Sequence, residues 1–304
     1  MAFADTSAQT VASGSDSTAI ATESGVVIIP KNLEIAFTAD LKSILYQDLD
    51  IRNFTGDLEI KDGLILLKET KFTLIDAPFF MDASYGSLSP ESAFFDYHIK
   101  AEDFDINRAY NEIQLFQDMA SPAENAEGIV SLDYNLKGKL DAEMMPVYPS
   151  LEGGGVLSVK KVKLNGYKMF NDISKKTEKE GLANPDLSKL DIETTIKNNI
   201  ITINPFKFKA AGFRVRIAGE SSFDGDLNLK MRLGLPPLGL FGIPVRVTGT
   251  GTMPKIRFSK GGGEDEDIPE TEYSDQIPDD VAKRLKDAKE TDIEEIPETP
   301  EEIK

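Results

Sequence analysis

Apolar and polar side chains alternate with a period of two through most of this chain. The pattern is clearest in three series: Leu33, Ile35 and Phe37; Val130, Leu132, Tyr134 and Leu136; and Leu227, Leu229, Met231 and Leu233. Successive side chains of a β-strand point to opposite faces, so this period is typical of strands with one drier face. The pattern predicts an all-β fold.

Turn-forming residues separate the alternating segments. Asp62-Gly63 and Asn198-Asn199 predict two-residue hairpin turns, because Asp, Gly and Asn tolerate the positive φ that such turns require. Asp224-Gly225 and the run Gly153–Gly155 are further turn signals. A turn at Asp62-Gly63 places three pairs of residues opposite each other: Lys61 and Leu64, Ile60 and Ile65, and Leu58 and Leu67.

Helical spacing is scarce. It predicts one to three minor helices, at Ile106–Met119, Tyr167–Glu180 and about Asp280–Lys289. None of these segments carries a recognisable chemical motif.

An internal repeat relates two hairpins at a constant shift of 136 positions, which places Asp62 over Asn198. Leu58–Phe72 matches Thr194–Phe208, and an apolar strand follows each copy, so we expect two related hairpin modules near 49–101 and 190–233. The alternative is that any two amphipathic hairpins look alike. The predicted apolar face of the two hairpins consists of Leu58, Ile60, Ile65, Leu67, Ile192, Ile196, Ile201 and Ile203.

Composition divides the chain into three parts. Residues 1–25 are rich in Ala, Ser and Thr and contain no Lys or Arg, which predicts a disordered segment. Residues 261–304 carry 17 acids and 5 bases, so this Pro-rich tail holds −12 of the net charge of −18 and is expected to be mostly disordered. The fold is therefore expected within residues 26–260, whose mild acidity disfavours nucleic acid as a partner.

The chain contains no cysteine, which excludes disulfides, thiolate zinc sites and a cysteine nucleophile. No run of about 18 apolar residues is present, so no helix is expected to span a membrane. Residues 1–25 also lack the positive start and apolar centre of a signal peptide. We expect the chain to be a fragment of a longer protein with an upstream anchor; a misassigned start is the alternative.

Candidate catalytic groups are few. His98 is the sole histidine, and it shares the more polar strand face with Asp96 and Lys100, which favours a solvated position over a general base. Asp103 and Asp105 have the spacing of a solvated strand face more than of a glycosidase carboxylate pair. We expect a protein that is not an enzyme.

Candidate cofactor and metal sites are equally weak. Asp224-Gly225-Asp226 lacks the remaining ligands of a calcium loop and fits a hairpin turn better. The glycines Gly153–Gly155 precede a strand and not a helix, so they do not form a phosphate-binding loop. No cofactor and no metal are expected.

The segment Ile243–Phe258 (IPVRVTGTGTMPKIRF), together with the repeated hairpins, resembles the C-terminal region of the AsmA family of bacterial envelope proteins. The family's closing strand has the form "plPV.v.GT…P.i.f", which is matched here by Pro244, Val245, Gly249, Thr250 and Pro254. The family's recurring "I.dG" element is similar to Ile60–Leu64 and Ile196–Ile200. The acidic tail is similar to that of members from Bacteroidetes-like bacteria.

This resemblance implies a long, curved antiparallel sheet that forms an open, taco-like hydrophobic groove. It also implies a periplasmic location, with an inner-membrane anchor that this chain lacks. The implied role is non-catalytic: binding acyl chains during phospholipid transport between membranes and outer-membrane assembly or integrity. The expected partners are a phospholipid or other acyl lipid, the inner membrane through that anchor, and other envelope proteins.

Two other classes of function are alternatives. The first is a secreted adhesin or glycan-binding β-sandwich, which the absence of Trp and the count of only 8 Tyr disfavour. The second is a β-helical glycan hydrolase, which the two separated modules and the lack of short, regular coil repeats disfavour.

Overall fold

A computed structural model describes residues 25–46, 49–236, 241–260 and 272–288. These residues form one open antiparallel sheet of thirteen strands, in which every strand pairs with its neighbours in the sequence. The strands are β1 (Ile35–Tyr46), β2 (Leu49–Lys61), β3 (Leu64–Leu74), β4 (Ala77–Ser89), β5 (Ser92–Asp105), β6 (Ala126–Leu140), β7 (Glu152–Leu164), β8 (Asp186–Lys197), β9 (Ile200–Ala210), β10 (Phe213–Ser222), β11 (Asp226–Gly234), β12 (Gly242–Thr250) and β13 (Pro254–Phe258). The all-β prediction is confirmed, and the alternatives of a two-sheet sandwich and a β-helix do not describe this sheet.

Helices occur at all three predicted places. Extended backbone at Ile113 (φ −117°, ψ 103°) divides the first into two, so the described residues hold four α-helices where one to three were expected. The helices are α1 (Ile106–Glu112), α2 (Gln114–Met119), α3 (Lys168–Thr177) and α4 (Asp279–Asp287), with short 3₁₀ helices at Ser121–Asn125, Tyr148–Ser150 and Glu180–Leu182.

The predicted hairpin turns are confirmed. Asp62 and Gly63 have φ of 54° and 80°, and Asn198 and Asn199 have φ of 52° and 66°, the positive values that two-residue hairpin turns need. The predicted register across the first turn is also observed, with Lys61 opposite Leu64, Ile60 opposite Ile65 and Leu58 opposite Leu67.

The repeat extends from the sequence into the backbone. At the same shift of 136, the bounds of β3 coincide with those of β9, and the turn Ile75-Asp76 coincides with Ala211-Gly212, all four with positive φ. A register shift follows Leu67 in the first copy and Ile203, its equivalent, in the second. Because a bulge is a specific local feature, its recurrence argues against a chance likeness of two hairpins.

The interpretation of Gly153–Gly155 as a turn is wrong. These glycines lie inside β7, opposite Leu136, Asn135 and Tyr134 of β6. A Cβ added at Gly153 or Gly155 would collide with backbone carbonyls of β6. The glycines therefore allow a close approach of two strands, which is the other use of glycine in a sheet.

Directly opposed residues of an antiparallel pair lie on the same face, so the register carries one apolar face across all thirteen strands. We call it the inner face; it includes Leu58, Leu67, Leu132, Ile192 and Leu229. The helices α1, α2 and α3 contribute apolar side chains to the core that forms on this face. The opposite, outer face is rich in Lys, Arg, Asp and Glu.

Part of the acidic tail belongs to the fold, which therefore extends past the expected boundary at residue 260. Ser274 pairs with Phe258 of β13, and α4 buries Val281 and Leu285 at 0% and 3% exposure. Lys179 donates a hydrogen bond of 2.6 Å to the carbonyl of Ala288. The other segments predicted to be disordered, 1–24, 261–271 and 289–304, lie outside the described residues. Among the helices that the structure describes, none is long and apolar enough to cross a membrane.

Candidate functional site

The inner face of the sheet and the helices that cross it surround a cavity of about 320 Å³. Strands β4 to β11 provide its floor, while α1, α2 and the 3₁₀ helix Ser121–Asn125 cover it. Nearly every side chain that lines it is aliphatic or aromatic. The volume lies at the lower end of the range of small-molecule sites, which are concave and mainly apolar.

Two rows of side chains across neighbouring strands build the centre of the floor. In the first row Leu132 lies opposite Leu157, which lies opposite Ile192. In the second, Tyr134 lies opposite Gly155, and Thr194 lies between Gly155 and Ile203. A side chain at position 155 would reach to 2.5 Å from the Tyr134 ring, so the glycine makes room for that ring.

The helical cover depends on the break at Ile113. The carboxylate of Asp105 accepts a hydrogen bond of 2.8 Å from the backbone N–H of Arg108 and so caps α1 where β5 ends. In α2, the ring of Phe116 meets Phe104 edge to face at 5.8 Å between centroids. Tyr148 donates a hydrogen bond of 2.7 Å to the Asp118 carboxylate, which ties α2 to the loop after β6.

Helix α3 borders another side of the cavity. Phe170 of this helix lies edge to face against Phe208 of β9 at 6.1 Å, and Met169 and Tyr167 also line the space. Phe208 belongs to the second hairpin module, so α3 packs against that module at the border of the cavity.

Polar groups in the cavity are few and paired or neutral. The hydroxyls of Tyr134 and Thr194 are 2.6 Å apart, at hydrogen-bond distance. Burial raises the pKa of Tyr97 and of Tyr134, and it raises the pKa of Tyr167 to about 12. All three phenols are therefore protonated near pH 7, and the arrangement suits an apolar ligand.

The eight predicted lining residues all lie on the inner face, but only Ile192, Ile201 and Ile203 line the cavity. Ile196 is 2% exposed and belongs to a smaller packed cluster with Leu136 and Leu151. The four residues of the first hairpin lie half-buried outside the cavity, and they are Leu58, Ile60, Ile65 and Leu67.

The prediction of a long, open antiparallel sheet is confirmed, and part of its inner face is covered. The chain's own helices cover the middle of the inner face, while the face at β1 stays open, with Ile35 at 42% and Phe37 at 49% exposure. The lining residues of the cover include Ile113, Leu115, Phe116 and Met119, which the strand pattern does not identify. Their signal was the helical spacing of Ala109, Ile113 and Phe116, because an apolar helical stripe needs a surface to cover.

The candidate catalytic residues have partners that explain them structurally. On the outer face, His98 Nε2 lies 2.7 Å from Asp133 Oδ1, and Lys100 Nζ lies 3.0 Å from Asp133 Oδ2. The hydrogen bond from His98 holds the pKa of Asp133 below its usual value. Asp103 pairs with Lys160, whose hydrogen bond lowers the pKa of Asp103. Asp103 and Asp105 therefore have separate roles: Asp103 forms an ion pair, and Asp105 caps α1.

The segment Asp224-Gly225-Asp226 joins β10 to β11 as a turn, with a 3.0 Å hydrogen bond from Gly225 N–H to the Ser222 carbonyl. Among the residues that the structure describes, no group of three or more His, Cys, Asp or Glu side chains could hold a metal ion. A second hollow, of about 410 Å³, lies beside the ends of β6, β7 and β8. It combines Lys137 and Lys197 with Asp96 and Glu152 and so favours no one sign of charge.

The segment that carries the family resemblance is a hairpin and not one closing strand. Pro244 and Val245 lie in β12, Gly249 and Thr250 end that strand, and Pro254 begins β13. Gly249 has a φ of 88°, and a Cβ there would approach the Met253 carbonyl to 2.5 Å, so the turn requires glycine. Val245 is fully buried, which gives these residues a structural role in the sheet.

Comparisons with protein-family models, with curated proteins and with solved structures find no match to this chain.

Proposed function

We propose that this protein binds the acyl chains of lipids in the cavity on its inner face and takes part in lipid transport without catalysing a reaction. The observation that carries the proposal is a cavity of about 320 Å³ whose lining is almost wholly apolar and which the chain's own side chains leave unfilled. Empty cavities of this kind attract apolar ligands, because their lining lacks contact partners.

The energetics of lipid transfer favour such a cavity. An acyl chain of about 16 methylenes costs roughly 13 kcal/mol to expose to water, at ~0.8 kcal/mol per methylene. A carrier must replace that water with apolar surface, and the rows around Leu132, Leu157 and Ile192 supply it. No reactive group is needed, in keeping with the protonated phenols of the site.

The resemblance to the AsmA family supports the cellular part of the proposal. We place the protein in the periplasm, associated with the inner membrane, where it would carry phospholipid for outer-membrane assembly. Envelope proteins would be its other partners.

The test is mass spectrometry of the lipids that co-purify with the full chain. Leu157→Trp puts a bulky ring into the cavity, whereas Val156→Trp puts the same ring on the outer face of the same strand, opposite Asp133 and Glu193. We expect acyl lipid with the wild type and Val156→Trp, and a loss of at least about tenfold with Leu157→Trp. Wild-type protein with no more lipid than a control β protein would contradict the proposal.

Transport is tested separately from binding. Transfer of a fluorescent phospholipid between donor and acceptor vesicles should accelerate with wild-type protein and not with Leu157→Trp. Lipid binding without any acceleration would restrict the function to lipid binding.

A further inference from the structure

The outer face of strands β9 to β13 carries a set of basic side chains that lie opposite one another. Apolar inner-face residues such as Val215, Met231 and Val245 alternate with them along the strands, which places the basic side chains on the outer face. We call them the basic block; its three rows of opposed residues are Lys209 and Arg214; Lys207, Arg216 and Arg232; and Lys230, Arg246 and Arg257. Among the described residues, no Asp or Glu lies in these rows.

Like charges directly opposite each other destabilise a sheet. Strands β5 to β7 avoid this cost on the same outer face, because their lysines lie opposite carboxylates. Lys100 lies opposite Asp133, with 3.0 Å between Nζ and Oδ2, and Lys137 lies opposite Glu152, with 3.4 Å between Nζ and Oε2. The basic block therefore needs negative charge from outside its own rows.

The chain supplies negative charge directly after β13. Residues 261–271 contain five acids and no base, and four of the acids are consecutive, at 264–267. The backbone is fixed on both sides of this segment. The N–H of Ser259 donates to the Pro244 carbonyl at 3.1 Å, and Ser274 pairs with Phe258 of β13. The acidic segment is therefore tethered at both ends beside the edge of the sheet that carries the basic block.

The length of this segment limits which strands it can reach. At about 3.3 Å per residue, position 264 can lie at most about 13 Å from Lys260, and position 267 at most about 16 Å from Glu272. Neighbouring strands are about 4.8 Å apart, so β11 lies about 10 Å and β10 about 14 Å from β13. The acids at 264–267 can therefore reach β10 to β13, whereas β9, at about 19 Å, lies beyond the backbone's reach.

We propose that residues 264–267 bind the part of the basic block on β10 to β13 of the same chain. Charge complementarity and the length of chain between Lys260 and Glu272 identify this occupant. Because both ends are tethered nearby, ordering the segment costs less chain entropy than recruiting a separate molecule. The proposal is independent of lipid binding, since the basic block and the cavity lie on opposite faces of the sheet.

A carbodiimide, which joins a lysine amine to a carboxylate in direct contact, tests the occupant in the full chain. We expect a crosslink between residues 264–267 and Lys230 within the monomer, at a yield that does not depend on protein concentration. Lys207 and Lys209 of β9 should give less of it. The ion pair of Lys100 and Asp133 is the positive control for the reaction.

Two results of this experiment would overturn the proposal. The first is a crosslink of Lys100 to Asp133 without any crosslink of Lys230 to residues 264–267. The second is a crosslink to Lys230 that forms only between two copies of the chain and disappears on dilution.

Charge neutralisation tests the same contact without chemistry. The test variant combines Glu264→Gln, Asp265→Asn, Glu266→Gln and Asp267→Asn. The matched control combines Asp292→Asn, Glu294→Gln, Glu295→Gln and Glu298→Gln and so removes the same number of negative charges. At low ionic strength the test variant should unfold at a lower urea concentration than the control, and molar salt should remove the difference, because salt screens the repulsion within the basic block. Equal urea midpoints at low ionic strength would contradict the proposal.

An anionic membrane is the alternative occupant of the basic block. Sedimentation with phosphatidylglycerol vesicles should show more binding by the test variant than by the wild type or the matched control, because only the test variant uncovers the basic block. Wild-type protein that binds these vesicles as well as the test variant does would assign the basic block to a membrane and overturn the proposal.

Discussion

The hydroxyl groups of Tyr134 and Thr194 meet at 2.6 Å on the floor of the cavity, on strands β6 and β8 that are separated by β7. They reach each other because Gly155 lies between them and has no side chain. One hydrogen bond thus bridges two strands that do not pair.

Removing one partner of this bond should destabilise the protein. We expect Tyr134→Phe to lower the free energy of unfolding by about 1 kcal/mol, since it leaves the Thr194 hydroxyl without its partner. Urea denaturation of Tyr134→Phe, Thr194→Val and the double variant would measure the coupling between the two residues. Strictly additive effects would mean that the bond contributes nothing to stability.

Alkaline pH should weaken the fold through Tyr167. Burial raises its pKa to about 12 from an ordinary 10, so the folded state keeps a proton that the unfolded chain releases. Ionisation of Tyr167 therefore leaves the free energy of unfolding unchanged below pH 10 and lowers it as the pH rises from about 10 to about 12. Two pKa units correspond to roughly 3 kcal/mol, and Tyr167→Phe should show a shallower loss of stability over this range. Identical pH profiles for both proteins would contradict the assignment.

A substitution in the turn between β9 and β10 should increase the stability of the protein. Ala211 has a φ of 49°, a left-handed conformation that costs alanine about 1 kcal/mol and that asparagine adopts more readily. Ala211→Asn should raise the free energy of unfolding by up to about 1 kcal/mol in urea denaturation. Asn198→Ala, at a turn residue with a φ of 52°, should shift it in the opposite direction.

Helix α4 should contribute to stability although it lies in the acidic tail. Leu285 is 3% exposed, so Leu285→Ala should cost about 2–5 kcal/mol. Lys283→Ala, at an exposed position of the same helix, should be close to neutral. Equal effects of the two substitutions would show that α4 does not pack on the sheet in solution.

Local sequence signals predicted much of this fold because they act over a few residues. The positive φ of Asp62-Gly63 and Asn198-Asn199 follows from residue type. The two copies of the repeat also have a bulge at equivalent positions, after Leu67 and after Ile203. The cavity depends instead on which surfaces meet. The chain pattern assigns Ile60 and Ile203 to one face, but only the packing of α2 over the sheet places Ile203 in the cavity and leaves Ile60 outside.

The glycines of β7 show a second limit. Gly153–Gly155 have the composition of a turn, and only the close approach of the β6 backbone explains why Gly153 and Gly155 are needed there. Such a contact joins residues about twenty positions apart, beyond the reach of turn rules.

Photolabelling with a diazirine-bearing fatty acid, followed by peptide mapping, tests the central claim most directly. If acyl chains occupy the cavity, the label should attach to its floor and cover, at residues such as Leu132, Leu157, Ile192, Phe116 and Met119, and unlabelled phospholipid should compete. Labelling confined to exposed apolar residues such as Phe241 and Met253, or no labelling that phospholipid displaces, would contradict lipid binding in the cavity.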